Sequence, residues 1–176
     1  MNANIVINSN FYMILKEILN RRSVREYKSD EVPEEFLNEI IKAAEFAPSG
    51  RGTHANEFLI VKEQKTKDEI CKICGQEFLR LAPVMLILLC DSNKTDLVVQ
   101  DLSVATENAF LQATVLGLGT VWKNLNSEWE EKIKKLLNIP QNYKAINIIP
   151  IGFPKSAPEP HSDANFSQSK IHIEKW

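Results

Sequence analysis

Arg21-Arg22-Ser23-Val24-Arg25 sets three guanidiniums and a hydroxyl within five residues. Arginine donates planar, paired N–H groups that match the oxygens of a phosphate, so the segment could hold an oxyanion. The whole chain nets −2, so this positive charge is a local concentration. The same arginines could instead complement the C-terminal dipole of a preceding helix and face water. A second candidate is the turn Ala47-Pro48-Ser49-Gly50-Arg51-Gly52-Thr53-His54. Small and glycine-rich, it would let backbone N–H groups approach a planar ligand closely, or it is an ordinary helix-to-strand connection. Leu116-Gly117-Leu118-Gly119-Thr120-Val121-Trp122 contains a Gly-x-Gly, but the glycines end a helix and open a strand. A dinucleotide fingerprint needs the reverse order and a third glycine, so that reading is rejected. Gly117 is expected to stop the helix and Gly119 to make a tight bend. Cys71-x-x-Cys74 lacks a second ligand pair and a preceding strand, and reads as a pair of buried structural thiols. His54, His161 and His172 have no metal-ligand spacing, so no metal site is expected. No Ser/His/Asp or paired-carboxylate arrangement can be drawn from the order of residues. If the chain is an enzyme, the difficult chemistry belongs to a bound cofactor.

The elements that would carry these residues follow from periodicity. A short first helix contains Met13, Ile14, Glu17 and Ile18 and ends near the arginines. A second begins at Pro33, with Glu34 and Glu35 at its positive end and Phe36, Leu37, Ile40, Ile41 and Ala44 on one apolar face. It stops near Ala47, since Pro48 disfavours helix before it. A third helix is expected from Thr66 to about Leu79, a fourth from about Leu97 to Leu116, and a fifth from Ser127 to near Asn138. Ser127 and Glu130 have the spacing of a capping box for the fifth. Strands are expected at Phe58–Val61, Val84–Cys90, Thr120–Trp122 and Ala145–Gly152. Val84–Cys90 is apolar on both faces and reads as the central strand. Pro150 should confine the last strand to an edge or a bulge. Helices around a small sheet make an α+β domain. The fourth helix is apolar around most of its circumference, and a short chain struggles to enclose it, which points to a homodimer.

At 176 residues, with 44% hydrophobic and 25% charged residues, the chain is expected to form one domain spanning 1–176. Residues 1–12 would be a mobile or partner-contacting arm, and 155–176 a tail along the partner. The near-neutral charge gives no reason to expect a nucleic-acid partner. The longest apolar run, Val84–Cys90, is too short to span a membrane. Three cysteines make no disulfide framework, so a reducing, cytoplasmic setting is expected.

Taken in order, the segments resemble the FMN-dependent nitroreductase family. The matching pieces are the arginine-serine cluster, Ala47-Pro48-Ser49, and the long helix with Glu107-Asn108. The Gly117–Trp122 segment and the stretch Ile148-Ile149-Pro150-Ile151-Gly152-Phe153-Pro154, running on to His172 and Trp176, complete them. The resemblance covers residues 14 to 176. It implies a small mixed or antiparallel sheet covered by helices, in an intertwined homodimer with one FMN in each of two interface clefts. By position, Arg21 and Ser23 look like ligands of the FMN phosphate and ribityl chain, with Arg22 alongside, and Arg25 like the cation near N1 and O2 of the ring. Pro48, Ser49 and Gly50 look like the second subunit's contribution, and His54 stands where relatives often have Gln. Trp122, Lys123 and Asn124 would present a backbone N–H near flavin N5, and Gln76 falls near the flavin edge. His161 stands where relatives carry Lys or Arg over the phosphate, and Asn56 where many have Trp. The implied activity is ping-pong reduction of nitroaromatic, quinone or related small acceptors by NADH or NADPH, with no catalytic side chain. A non-catalytic FMN carrier or redox sensor is the alternative. A helical module that binds a phosphorylated partner is a third.

Overall fold

Every residue of Val84–Asp91, strand β2, is buried, because helices cover both faces of the sheet at this strand. This computed structural model describes residues 14–176; the expected arm at 1–12, and Met13, lie outside the described residues. The helices are α1 (Lys16–Asn20), α2 (Glu34–Glu45), α3 (Gln64–Cys74), α4 (Phe78–Leu81), α5 (Val98–Val115) and α6 (Ser127–Leu137). The other strands are β1 (Asn56–Val61), β3 (Gly119–Thr120), β4 (Lys123–Asn124), β5 (Tyr143–Lys144) and β6 (Asn147–Gly152). The sheet is antiparallel in the order β1-β2-β6-β3, with β4 also on β6 and β5 also on β2.

Alternate residues of β2 point into two cores. Val84, Leu86, Leu88 and Cys90 pack with Leu37 and Ile40 of α2 and with Leu102, Ala105, Ala109 and Phe110 of α5. Met85, Ile87 and Leu89 pack with Ile70, Cys71 and Cys74 of α3 and Ile133 of α6. The result is a sheet between two helical layers, the α+β arrangement expected. One expectation about α5 changes. Its own chain buries Leu102, Ala105, Ala109, Phe110 and Ala113, and leaves only parts of its apolar surface, including Val104 and Val115, exposed.

Several boundaries differ from the periodic reading, each for a local reason. The expected third helix breaks in two at Gly75, whose φ of 65° caps α3 and frees the Gln76 loop before α4. The expected strand at Thr120–Trp122 becomes β3 and β4, because pairing with β6 lapses at Val121 and Trp122. Pro150 is not on an edge: it pairs with Met85 inside the sheet, and on its other side lies that lapse. Gly117 does stop α5, with φ 72°, and Gly119 opens β3 without a positive φ. A Cβ there would lie 2.7 Å from Val24 Cβ, so Gly119 is a point of close approach. Ser127 is not the cap of α6. The cap is Asn126, whose Oδ1 accepts the Trp129 N–H at 2.8 Å, while Glu130 Oε1 accepts the Ala145 N–H at 3.0 Å. Asn126→Ala should therefore lower the unfolding free energy by about 1 kcal/mol, and Ser127→Ala should not. Thermal melts of the two variants check this; equal losses would return the cap to Ser127.

Candidate active site

The arginine segment is held at the edge of the sheet by its backbone. α1 ends at Asn20, and Arg21 is already extended, with its N–H bonded to Glu17 O at 2.8 Å. Ser23 bridges Thr120 of β3, Val24 N–H donates to Thr120 O at 2.9 Å, and Tyr27 bridges Pro154. Val24 and Tyr27 point inward and are buried, which leaves Arg21, Arg22 and Ser23 half-buried and Arg25 exposed. Arg22 lines a cavity of about 160 Å³ with Asn20, Gly117, Gly119, Pro154 and Ala157. Arg21 Nε lies 3.6 Å from Glu107 Oε1, a half-exposed pair of little energetic weight. Among the described residues neither Arg22 nor Arg25 makes an ion pair. Arg25 instead lies over the Phe78 ring, 5.8 Å from its centre.

Other expected site residues gather along this edge. Gln76 is exposed in the loop before Phe78, and its carbonyl accepts the Cys71 thiol at 3.4 Å. Lys123 and Asn124 form β4, with Trp122 in the gap before it. Trp122 packs edge-on against Phe110, and its Nε1–H reaches Asn124 Oδ1 at 3.5 Å. Lys123 Nζ sits 3.9 Å from the centre of the Trp129 ring, so the ammonium is drawn toward α6. His161 donates its backbone N–H to Leu19 O at 2.8 Å, which brings the tail back to the end of α1 with the imidazole exposed. Cys71 and Cys74 are buried on the last turns of α3, and burial pushes both thiols up, as inert structural thiols should be.

The Pro48–His54 turn is not brought to that edge within one chain. It stands at the start of α5, where the Gly50 N–H donates to Asp101 Oδ1 at 2.8 Å. The arginine cluster faces Glu107 and the glycines beyond the end of the same helix. Gly117 is sixteen residues beyond Asp101, about 24 Å of helix axis, so the Arg22 cavity lies toward the far end of α5 from the turn, while Arg21 meets Glu107 midway along it. The turn is tightly folded. Arg51 and His54 have φ of 54° and 43°, Gly52 has φ 66°, and Ser49 Oγ accepts the His54 N–H at 3.0 Å. A Cβ on Gly50 would lie 2.4 Å from Leu97 Cδ1, so a larger residue there requires the Leu97 side chain to move. Thr53 Oγ1 in the turn and Asn56 Oδ1 just after it are buried without a hydrogen-bond partner among the described residues. Sequence reasoning missed Asp101: its only signal is an acidic residue in a first helical turn, which usually means solvent.

A model of the Nitroreductase family matches residues 18–90 and 72–153. A Methanothermobacter thermautotrophicus protein with the provisional name NADH dehydrogenase/NAD(P)H nitroreductase is 34% identical over 93% of this chain and 87% of its own. The Bacillus subtilis FMN reductase [NAD(P)H] is 26% identical over 93% of this chain and 79% of its own. Among solved structures, an FMN-dependent nitroreductase from Clostridium difficile superposes with a TM-score of 0.88 at 30% identity, covering 93% of this chain and all of the other. With the antiparallel sheet between two helical layers and the arginine segment stitched to its edge, these matches show that the chain belongs to the nitroreductase family.

Proposed function

We propose that this chain is an FMN-dependent NAD(P)H oxidoreductase that works as a homodimer. The residues fit the cofactor. The clustered Arg21, Arg22 and Ser23 offer charged and neutral donors beside a small glycine-rimmed cavity, a donor set suited to a phosphate. The observation that carries the reading is the pair of guanidiniums, Arg22 and Arg25, left without a counter-charge among the described residues. Arg21, Arg22 and Ser23, with His161 alongside, would hold the phosphate and ribityl chain. Arg25, steadied by Phe78, would set positive charge where negative charge develops on the flavin ring. Trp122, Lys123, Asn124 and Gln76 would border the ring from the same chain. When bound, FMN supplies two-electron transfer between NAD(P)H and an acceptor. Nitroaromatics, quinones and related small molecules are the proposed acceptors, taking the place of the nicotinamide in one cleft by a ping-pong cycle.

The second chain would complete each site. Pro48, Ser49, Gly50 and His54 stand at the start of α5, away from their own chain's Arg22 cavity beyond its other end, and a second copy running the other way would bring them to it. An apolar strip suited to that pairing runs over Leu15, Phe46 and Val115, which are 65%, 72% and 58% exposed. Leu15, Phe46, Leu111 and Val115 also line a shallow groove between α1, α2 and α5. The exposed tail, with Phe166, Ile171 and Ile173, would extend along the partner. No helix among the described residues is long and apolar enough to cross a membrane.

Anaerobic titration with NADH and with NADPH tests the activity. The FMN-loaded protein should lose its visible absorbance with at least one of them and regain it when an acceptor is added. A protein that binds FMN but is not bleached by either would be a carrier or sensor, and one that binds no FMN would end both readings. Light scattering should give about 40 kDa, twice the 20.0 kDa chain.

A further inference from the structure

Asp101 is 3% exposed, and its side-chain hydrogen bonds go to Gly50 and Thr95 rather than to the arginine cluster. Its Oδ1 accepts the Gly50 N–H at 2.8 Å, and its Oδ2 lies 3.5 Å from Thr95 Oγ1. Among the described residues no cation pairs with it. A carboxylate removed from water without a cation is costly unless its hydrogen bonds matter. What this one holds is a turn whose internal bonds, Gly52 N–H to Ser49 O at 3.1 Å and Thr53 N–H to Gly50 O at 3.2 Å, do not tie it to the rest of the fold. Left-handed backbone at Arg51 and His54, two non-glycine residues, disfavours the conformation and persists only when the surroundings impose it. Three side-chain ties impose it here. The Arg51–Asp96 pair is exposed on both sides, and the Ser49–His54 bond is also exposed, so both compete with water. The Asp101–Gly50 bond is the tie whose acceptor is buried. It also sits in the first turn of α5, so the rigid helix sets the position of the Gly50 nitrogen.

We propose that Asp101 is a positioning residue for FMN bound mainly by the partner chain. Its carboxylate fixes the Gly50 N–H, and through it places Pro48, Ser49, Gly50 and His54 against the other subunit's flavin. The proposal rests on the two-chain site described under Proposed function. It differs from a stabilising role in one testable respect: Asp101 acts on a site whose arginines belong to the other chain.

The Asp101→Ala homodimer should bind FMN about 10-fold more weakly than the parent. Asp101→Asn keeps an acceptor oxygen in the same place and should stay within about threefold of the parent. If Asp101→Ala does not accumulate as a folded dimer, Asp101→Ser replaces it, since its hydroxyl stops short of the Gly50 nitrogen. The deciding experiment pairs two differently tagged chains, one with Asp101→Ala and the other with Arg21→Ala and Arg22→Ala. In the mixed dimer one site combines an intact arginine cluster with an intact turn, and the other site has both damaged. One FMN per dimer at parental affinity is the expected result. If Asp101 serves its own chain's arginines, or only props up its own chain, no site of parental affinity appears and the proposal fails. An Asp101→Ala dimer that binds FMN as well as the parent, or an Asp101→Asn dimer as weak as Asp101→Ala, also overturns it. A parent that binds no FMN brings down the two-chain reading instead.

Discussion

Replacing Arg21 and Arg22 together with alanine should weaken FMN binding about 100-fold or more, while riboflavin, which keeps the ribityl chain but lacks the phosphate, should lose far less. Each charge-assisted hydrogen bond to a phosphate contributes about 1.5–3 kcal/mol, and every 1.4 kcal/mol is a factor of ten in affinity. Two such losses reach the stated range before any long-range attraction is counted. Arg21→Ala alone should already produce a large part of it. The fold should survive, because the segment docks through Val24 and Tyr27 and through backbone bonds to Thr120 and Phe153. The Glu107 pair that Arg21 gives up is half-exposed and contributes little to stability. Fluorescence titration of the flavin-free protein measures both ligands. Riboflavin lacks the phosphate, so it separates loss of the anion grip from general damage to the cleft. Parental FMN affinity in the double variant would remove the phosphate from this cluster, and an equal loss for riboflavin would reassign the arginines to the ribityl chain or the ring.

Gly119→Ala should do comparable harm by a different route, with no charge involved. The added Cβ would meet Val24 Cβ and Cγ1 at 2.7 Å and Cγ2 at 2.8 Å. These atoms belong to a β-branched residue whose own N–H is tied to Thr120 O at 2.9 Å, so they cannot swing aside. The segment carrying Arg22, Ser23 and Arg25 must lift from the sheet edge. Overpacking of this kind costs about 1–3 kcal/mol, and FMN affinity should fall with it. Val24→Ala removes two of the three contacts. The Val24→Ala, Gly119→Ala double variant should therefore be more stable than the sum of the single losses predicts, by about 1 kcal/mol. Denaturant titrations of the four proteins give that coupling directly. Strict additivity would mean that Gly119 is constrained by something other than Val24.

What could be read from residue order divides by range. β2 was evident because the seven apolar residues Val84–Cys90 in succession suit a strand covered on both sides. α2 was evident from its one-sided stripe and the proline at each end. The interruptions were not, since each depends on a partner distant in sequence. Nothing in Thr120-Val121-Trp122 announces that pairing lapses there, and nothing in Gly119 announces Val24. The arginine cluster stood out through its own density of charge. Its orientation needed Ser23 docked on Thr120 and Tyr27 docked on Pro154, partners about a hundred or more residues away. Asp101 was invisible for the opposite reason: an acidic residue in a first helical turn is ordinary, and only burial against Gly50 makes it unusual.

The stitching of the arginine segment also sets a calendar for the molecule. Residues near position 20 take their partners from far down the chain: Val24 from Thr120, Lys28 from Phe153, and Leu19 from His161, while Lys155 reaches back to Glu26. A ribosome makes the arginines early and these partners late, so for most of synthesis the cluster has no edge to rest on. Contacts of such sequence separation form slowly and last. A growing chain cannot acquire a finished anion site before about residue 161 has emerged, and cofactor loading is then a late event, coupled to closure of the fold from end to end.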